Sequence, residues 1–473
     1  MPPRSRSAPW TEAQAERHLH SLELFGMRFG LDRMRRMMTA LGTPSRRFDS
    51  IQVVGTNGKT STTRMIAAIL ERHGLRTGAY LSPHLTSYAE RVQIGERDLD
   101  TSRFAAAIAR AALAAEQVNR TLAEDDHVTQ FELLTAAAFW ELADREVQVA
   151  VVEAGLGARY DATSVIEPCV TVLTNVGLEH TRWLGPTVRD IAEEKLAAVR
   201  PGTTLALGPQ LAPEALAVAR RVAEERGVRI VSVAEDATSG SPETPLLARG
   251  AFQRRNFALA RVAAEAYLES LTIEQGLPGE SPFGEDAAHE DVFADAARST
   301  FVRGRFHVVG EDPLTLLDGA HNPHAVGALV ESLSGLLGER PLALVLGVLE
   351  DKDAAGMLGL LLPLCARAWF TVPASTRALS PATLQSLARQ LGFGQVVCEP
   401  KPAHALAEAR AWALARPGGG AVLATGSVYL VGELLARLDH PAEAGHSTGG
   451  GRSAQREGCS TEGFAARDES VAG

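Results

Sequence analysis

The sequence predicts an α/β protein of two units, each a largely parallel sheet flanked by helices. Three observations carry that expectation. From residue 51 to about 202, short β-branched runs alternate with longer helical stretches, the order that parallel strands with crossover helices need. The same alternation returns after residue 314. Between them, "LTIEQGLPGESPFGEDAAHEDVFADA" (271–296) is acidic and rich in Gly and Pro, and reads as a loop or weakly helical insertion before a boundary.

The first strand is Ile51-Gln52-Val53-Val54, and Met65-Ile66…Ile69-Leu70 behind it has helical apolar spacing. The turn between them, "GTNGKTSTT", holds Gly55, Thr56, Asn57, Gly58, Lys59, Thr60 and Ser61. Such a turn can hold a phosphate chain. Glycines let backbone N–H groups approach the oxygens, the helix N-terminus favours anions, Lys59 adds a point charge, and Thr60 or Ser61 offers Mg²⁺ a hydroxyl. The usual G-x-x-x-x-G-K-[ST] spacing would put its first glycine at Val53; here the glycine comes at Gly55. An ordinary Gly-rich helix cap is the plainer alternative.

Further strands are expected at 147–152 and 170–174, with helices at 131–143 and 190–199. Ligands of such sheets sit outside the C-terminal strand ends. Three strands here end in polar or Gly-rich text: "VVGTNGKT", "VVEAGLGARYDAT" and "VLTNVGLEHT". Glu153 closes the second, where a carboxylate suits Mg²⁺; a charged strand end is the alternative. His180 follows the third, as ligand or as structural histidine. Lys195, in "IAEEKLAAVRPG", reads by default as a solvated helix lysine.

The second region offers strands at 314–317, 342–346, 369–372, 395–398 and 421–424, with helices at 325–337 and 381–391. Its signature is "LLDGAHNPHA", where Asp318, His321 and Asn322 cluster at a strand end before a helix opened by Pro323, a placement that suits ligand contact. After Leu438 the chain has almost no apolar content and is expected to be disordered.

At 473 residues, two or three domains are expected. With 45% hydrophobic and 22% charged residues, a sizeable core is available. Lys+Arg is 47 against Asp+Glu 57, a net charge of −10, which argues against a general nucleic-acid binder. Cys169, Cys365, Cys398 and Cys459 form no C-x-x-C pair, so a reduced cytoplasm is the simplest expectation. The N-terminus has arginines but no apolar stretch behind them, so no secretory signal is read there. The most apolar run, near 357–366, is broken by Pro363 and is too short to span a bilayer.

The motifs "GTNGKT", "SPHL", "TQFELLTAAAFW", "EAGLGARYDAT", "LEHTRWLGPTVRDIAEEKLAAVRPG", "GRFHVV", "LLDGAHNPHA", "LGVLEDKD" and "ATGSVYL" occur in that order. Together they resemble the folylpolyglutamate synthase/dihydrofolate synthase family of the Mur ligase superfamily, over about residues 20–437. The resemblance implies a P-loop parallel-sheet ATPase domain (1–298), a smaller Rossmann-like glutamate-ligase domain (299–440), and a tail (441–473). It implies ATP-dependent joining of L-glutamate to a folate or to dihydropteroate through an acyl phosphate, by a cytoplasmic monomer with neither nucleic-acid nor membrane partners.

By motif position, Lys59 and its loop would hold ATP together with Asn256, Arg305 and Asp318. Ser82, Glu153 and His180 would bind Mg²⁺. Thr129, Gln130, Phe131 and Asp161 would face the pterin, and His321, Arg377 and Ser427 the glutamate. The resemblance also makes Lys59, Lys195 and His321 catalytic, with Lys195 carrying a carbamate. Two departures stand out. The loop reads Lys59-Thr60-Ser61 where the family more often has a glycine after the lysine, and "GLGARYD" replaces the commoner "GLGGRLD", changing Ala158 and Tyr160. A single-activity folylpolyglutamate synthase, a peptidoglycan-type Mur ligase and a non-catalytic nucleotide-binding protein are the rivals. Retention of Glu153, His180, Lys195 and Asp318 argues against the last.

Overall fold

A computed structural model describes residues 9–22, 30–233, 245–274 and 287–439. It contains two sheets. The first uses β1 (Asp49–Val54), β2 (Thr77–Tyr80), β3 (Val92–Ile94), β4 (Arg97–Asp98), β5 (Val149–Glu153), β6 (Val170–Leu173), β7 (Thr204–Leu207) and β8 (Arg229–Ser232), in the order β4-β3-β2-β5-β1-β6-β7-β8. All neighbours run parallel except β2–β3 and β3–β4. The second uses β9 (His307–Glu311), β10 (Leu314–Leu317), β11 (Leu342–Leu346), β12 (Cys365–Phe370), β13 (Val396–Cys398) and β14 (Ala421–Thr425), ordered β13-β12-β11-β14-β10-β9, with only β9 antiparallel.

β1 and β5 lie at the centre of the first sheet and are buried along nearly their whole length, as strands covered on both faces must be. One face packs on helices Lys59–Arg72 and Ala251–Glu274 through Ile51, Met65, Ile69, Leu259 and Ala263. The other packs on Thr101–Asn119 and Gln130–Asp144 through Tyr80, Ile108, Leu134 and Phe139. Helix Ala251–Glu274 runs the length of β1. Near its C-terminal end the Tyr267 hydroxyl donates to Asp49 Oδ2 at 2.9 Å, and near its start Asn256 meets the turn after β1.

Several expected elements shift. The strand expected at 369–372 is β12, Cys365–Phe370. A 3-10 turn, Leu362–Leu364, containing Pro363, delivers the chain into it early, and Thr371 and Val372 already leave the sheet. The 271–296 stretch is helical at both described ends: Ala251–Glu274 runs into it and Ala287–Ser299 closes it. Phe293 and Ala296 are buried in the first unit's core and hold the latter helix there. Residues 275–286 of that stretch, and the tail beyond 439, lie outside the described residues. No helix among the described residues is long and apolar enough to cross a membrane.

Candidate active site

The C-terminal ends of β1, β5, β6 and β10 open on one cleft of about 1220 Å³ between the two units. That exceeds the roughly 300–1,000 Å³ of an ordinary small-molecule site, so there is room for more than one substrate.

The β1 turn is locked by close packing. A Cβ on Gly55 (φ +151°) would lie 1.9 Å from Thr174 Oγ1, and one on Gly58 (φ +82°) 2.6 Å from Asn256 Oδ1. Only glycine fits either place. Thr174 Oγ1 donates to Asn57 O at 2.7 Å, which ties the turn to the end of β6. Helix Lys59–Arg72 begins at once, so its first N–H groups face the cleft. Lys59 Nζ donates to Gly55 O and Thr56 O, both at 3.1 Å, which holds the ammonium over the turn.

Glu153 is buried at the end of β5. Thr60 Oγ1 lies 3.0 Å from each of its oxygens, and the Ser82 N–H donates to Oε2 at 3.0 Å. Burial raises the carboxyl's pKa; Lys59, Ser82 and Thr60 oppose that. Ser61 is also buried. His180, left-handed at φ 52°, opens the short helix Thr181–Leu184. Loss of water and the nearby charge of Lys352 push its imidazole down to about 4, with Lys59 and Lys195 adding to the effect.

Lys195 is not the surface residue that its helix suggests. It is 5% exposed, and its Nζ donates to Gly55 O at 2.8 Å. Burial, helped by Lys59, pushes its ammonium down to about 7. Two lysines, from distant parts of the chain, therefore converge on one carbonyl of the turn.

Thr129, Gln130, Phe131 and Asp161 all line the cleft, but their polar groups are largely committed. Thr129 caps helix Gln130–Asp144 in a reciprocal box with Glu132. Gln130 Nε2 donates to Leu19 O at 2.8 Å. Asp161 accepts from the N–H groups of Gly155, Leu156 and Thr163 and from the Thr163 hydroxyl, so it shapes the Gly155–Leu156 turn. Phe131 offers its ring: a Cβ on Gly155 would lie 2.8 Å from its Cζ.

Across the cleft, Asp318 accepts from Phe306 N (2.7 Å) and Ala320 N (2.8 Å), and Arg305 lies over Gly319, where a Cβ would be 2.0 Å from its Nη1. His321 Nδ1 lies 2.8 Å from Gly319 O. Arg377 reaches Asp351 at 3.3 Å, and Ser427 Oγ accepts from Tyr429 N at 3.1 Å. Asn256, Arg305, Asp318, His321, Arg377 and Ser427 all line this cleft.

Sequence reasoning passed over what joins the two walls. Asn57 and Asn322 exchange side-chain amide bonds at 3.3 and 2.9 Å, and Asn57 Nδ2 lies 3.1 Å from His324 Nδ1. Arg255 pairs twice with Glu331, at 2.9 and 2.8 Å. Glu179 meets His321 at 3.1 Å and Lys352 at 3.0 Å. The available signal was charge inside a motif: Glu179 precedes His180 in "LEHT", and Lys352 stands in "LEDKD".

Residues 53–238 match the Mur ligase middle domain, and residues 304–428 the Mur ligase glutamate ligase domain. The folylpolyglutamate synthase of Lacticaseibacillus casei is 31% identical over 406 residues, covering 80% of this chain and 89% of that protein. A Haloferax volcanii protein named "Probable bifunctional folylpolyglutamate synthase/dihydropteroate synthase" is 34% identical over 444 residues, 89% of this chain; the chain spans only 50% of that relative. Among solved structures, Mycobacterium tuberculosis folylpolyglutamate synthase complexed with ADP superposes with TM-score 0.81 at 27% identity, covering 90% of this chain and 98% of that one. An Escherichia coli structure in complex with DHPP and ADP gives 0.76 at 28%, covering 92% and 99%. With the two domain matches in chain order and a 31%-identical relative covered over most of its length, the chain belongs to the folylpolyglutamate synthase/dihydrofolate synthase family of Mur ligases.

Proposed function

We propose that the chain joins L-glutamate to a folate, and to 7,8-dihydropteroate, at the expense of ATP. The observation that carries this reading is the convergence of Lys59 and Lys195 on Gly55, beside buried Glu153, on one wall of a cleft whose other wall holds His321, Arg377 and Ser427. A substrate carboxylate oxygen attacks the γ-phosphorus, the bond to the β-phosphate oxygen breaks, and ADP leaves. The neutral glutamate amine then attacks the acyl carbon, a C–N bond forms, the amine gives up a proton to solvent, and phosphate departs with the bonding pair. Catalysis of the first step is mostly charge neutralisation and in-line positioning, the roles assigned to Lys59, the loop N–H groups and Arg305. Asn256 and Asp318 shape the rest of the ATP site, and Phe131 offers a face to a planar pterin.

Ser82, Glu153 and His180 line the cleft beside Thr60 and would hold Mg²⁺, which takes few protein oxygens and keeps waters. Among the described residues no three of His, Cys, Asp or Glu form a ready cage. When bound, it neutralises phosphate charge.

Lys195 is assigned a carbamate. Its neutral amine adds to CO₂, an N–C bond forms, and a proton leaves, turning a buried cation into an anion beside Lys59. A short carboxylic acid should restore part of the activity lost in Lys195→Ala; full activity of that variant without rescue contradicts the assignment.

The test is phosphate release that requires both a pteroate compound and glutamate, with mass spectrometry of products from dihydropteroate and tetrahydrofolate in parallel. Turnover of tetrahydrofolate alone would make this a single-activity folylpolyglutamate synthase. No dependence on either would remove the reading.

A further inference from the structure

Glu179 belongs to the loop after β6, on the large-unit wall, yet the groups that hold it come from the small unit. Its Oε1 lies 3.1 Å from His321 Nε2 and 3.0 Å from Lys352 Nζ, with His180 Nε2 at 3.8 Å. The Glu179 and Lys352 side chains are 9% and 10% exposed. Burial alone would raise the carboxyl's pKa, but His321 and Lys352 hold it well below the usual carboxylate range. The contact continues toward the cleft rim: Lys352 lies 3.7 Å from Asp351 Oδ2, and Asp351 Oδ1 takes Arg377 at 3.3 Å. His321 is fixed from behind by its Nδ1 contact with Gly319 O. A second ionic bridge between the walls differs: Glu331 opposite Arg255 is 53% exposed, where water screens the pair.

We infer that Glu179 is a positioning residue. Its carboxylate fastens the small unit to the large one at the floor of the cleft and sets His321, Lys352 and, through Asp351, Arg377 at fixed distances from His180. On the ligase reading His321 and Arg377 belong to the amino-acid end of the cleft and His180 to the phosphate side, and all three line it. Glutamine at 179 keeps the volume but removes the charge that offsets Lys352, so the small unit loses its register against the large one. The kinetic part of this inference rests on the ligase reading; the positional part does not.

The experiment uses the full chain as Glu179→Gln, Glu179→Lys, Lys352→Glu and the exchanged pair Glu179→Lys/Lys352→Glu. Steady-state kinetics vary each substrate, and small-angle X-ray scattering follows the separation of the units. For Glu179→Gln the expected results are a KM for glutamate raised by about tenfold, a KM for ATP within about twofold, and a larger radius of gyration. The exchanged pair should recover about tenfold over either single reversal. Unchanged glutamate KM and scattering in Glu179→Gln, or an exchanged pair no better than its worse parent, overturns the inference. If wild type does not use glutamate but scattering still expands in Glu179→Gln and contracts in the exchanged pair, the ligase reading falls and the positioning role stands.

Discussion

On the large-unit wall of the cleft, Lys59, Thr60, Glu153 and Lys195 are all held by groups of their own unit: Gly55 O, Thr56 O, Ser82 N and one another. On the small-unit wall, His321 and Lys352 are held in part by a carboxylate from the other side. The first wall is finished when its sheet folds. The second is finished only when the two units meet, which suits an enzyme whose later substrate must be admitted and then kept from water. Damage to the first wall should therefore strike phosphate chemistry or local packing, whereas damage to the second should strike the fit between units.

The largest effect is expected from Lys59→Ala, which removes the ammonium over the turn. Turnover should fall by about a thousandfold while urea denaturation stays near wild type; near-normal turnover would show the large-unit wall is not where charge is neutralised. Lys195 comes next. Its folded pKa, about 7, is below the ordinary lysine value of 10.5, so the folded state disfavours its charged form. Below about pH 7 the full cost is present. As pH rises from 7 towards 10.5 that cost disappears, so this group adds stability with rising pH. In CO₂-free buffer, the stability of wild type minus that of Lys195→Met should rise across this window by an amount on the order of 5 kcal/mol; a flat difference would mean the site is wetter than its packing indicates.

Gly55→Ala sharpens the same comparison from the packing side. Its methyl group would meet Thr174 Oγ1 at 1.9 Å, and chemical denaturation should show a loss of about 1–3 kcal/mol. Recovery in Gly55→Ala/Thr174→Ala would tie that loss to this single contact. The smallest effect is expected at the rim. Arg255→Ala removes a two-bond bridge to exposed Glu331 and should cost less than about 1 kcal/mol, with each KM within about twofold. A large rise in the glutamate KM would shift the fastening of the units from the floor of the cleft to its edge.

The same division explains what was legible in the sequence. β1, β5, β6, β10, β11 and β14 are buried apolar runs, and the turn after β1 announces itself by glycines that its neighbours leave no room to change. β2, with Thr77 and Gly78, and β3 and β4, three and two residues long, carry no such pattern; they are strands because a neighbour supplies the ladder. Lys195 reads as exposed from its own helix, because the Gly55 carbonyl and Lys59 that surround it lie far away in the chain. Glu179 was in plain view beside His180, but its partners belong to the other unit, and one sequence carries no sign of that meeting.

Helix Ala251–Glu274, at about 1.5 Å per residue, is a strut of about 36 Å. Tyr267 pins it to the start of β1 and Asn256 to the turn at the end of β1. At its first turn the Ala251 N–H donates to Ser332 Oγ of helix Pro323–Leu337 at 3.0 Å. A strut clamped along the large sheet cannot swing with the small unit, so the fulcrum for any opening lies where its first turn meets Ser332 and where the chain crosses at residues 300–306. Asn256 is less than two helical turns from that fulcrum. Any rotation about it would carry His321 and Lys352 away from Glu179 and break the Asn57–Asn322 amide pair, while the Asn256 side chain resting on Gly58, carried by the strut, would stay with the phosphate turn.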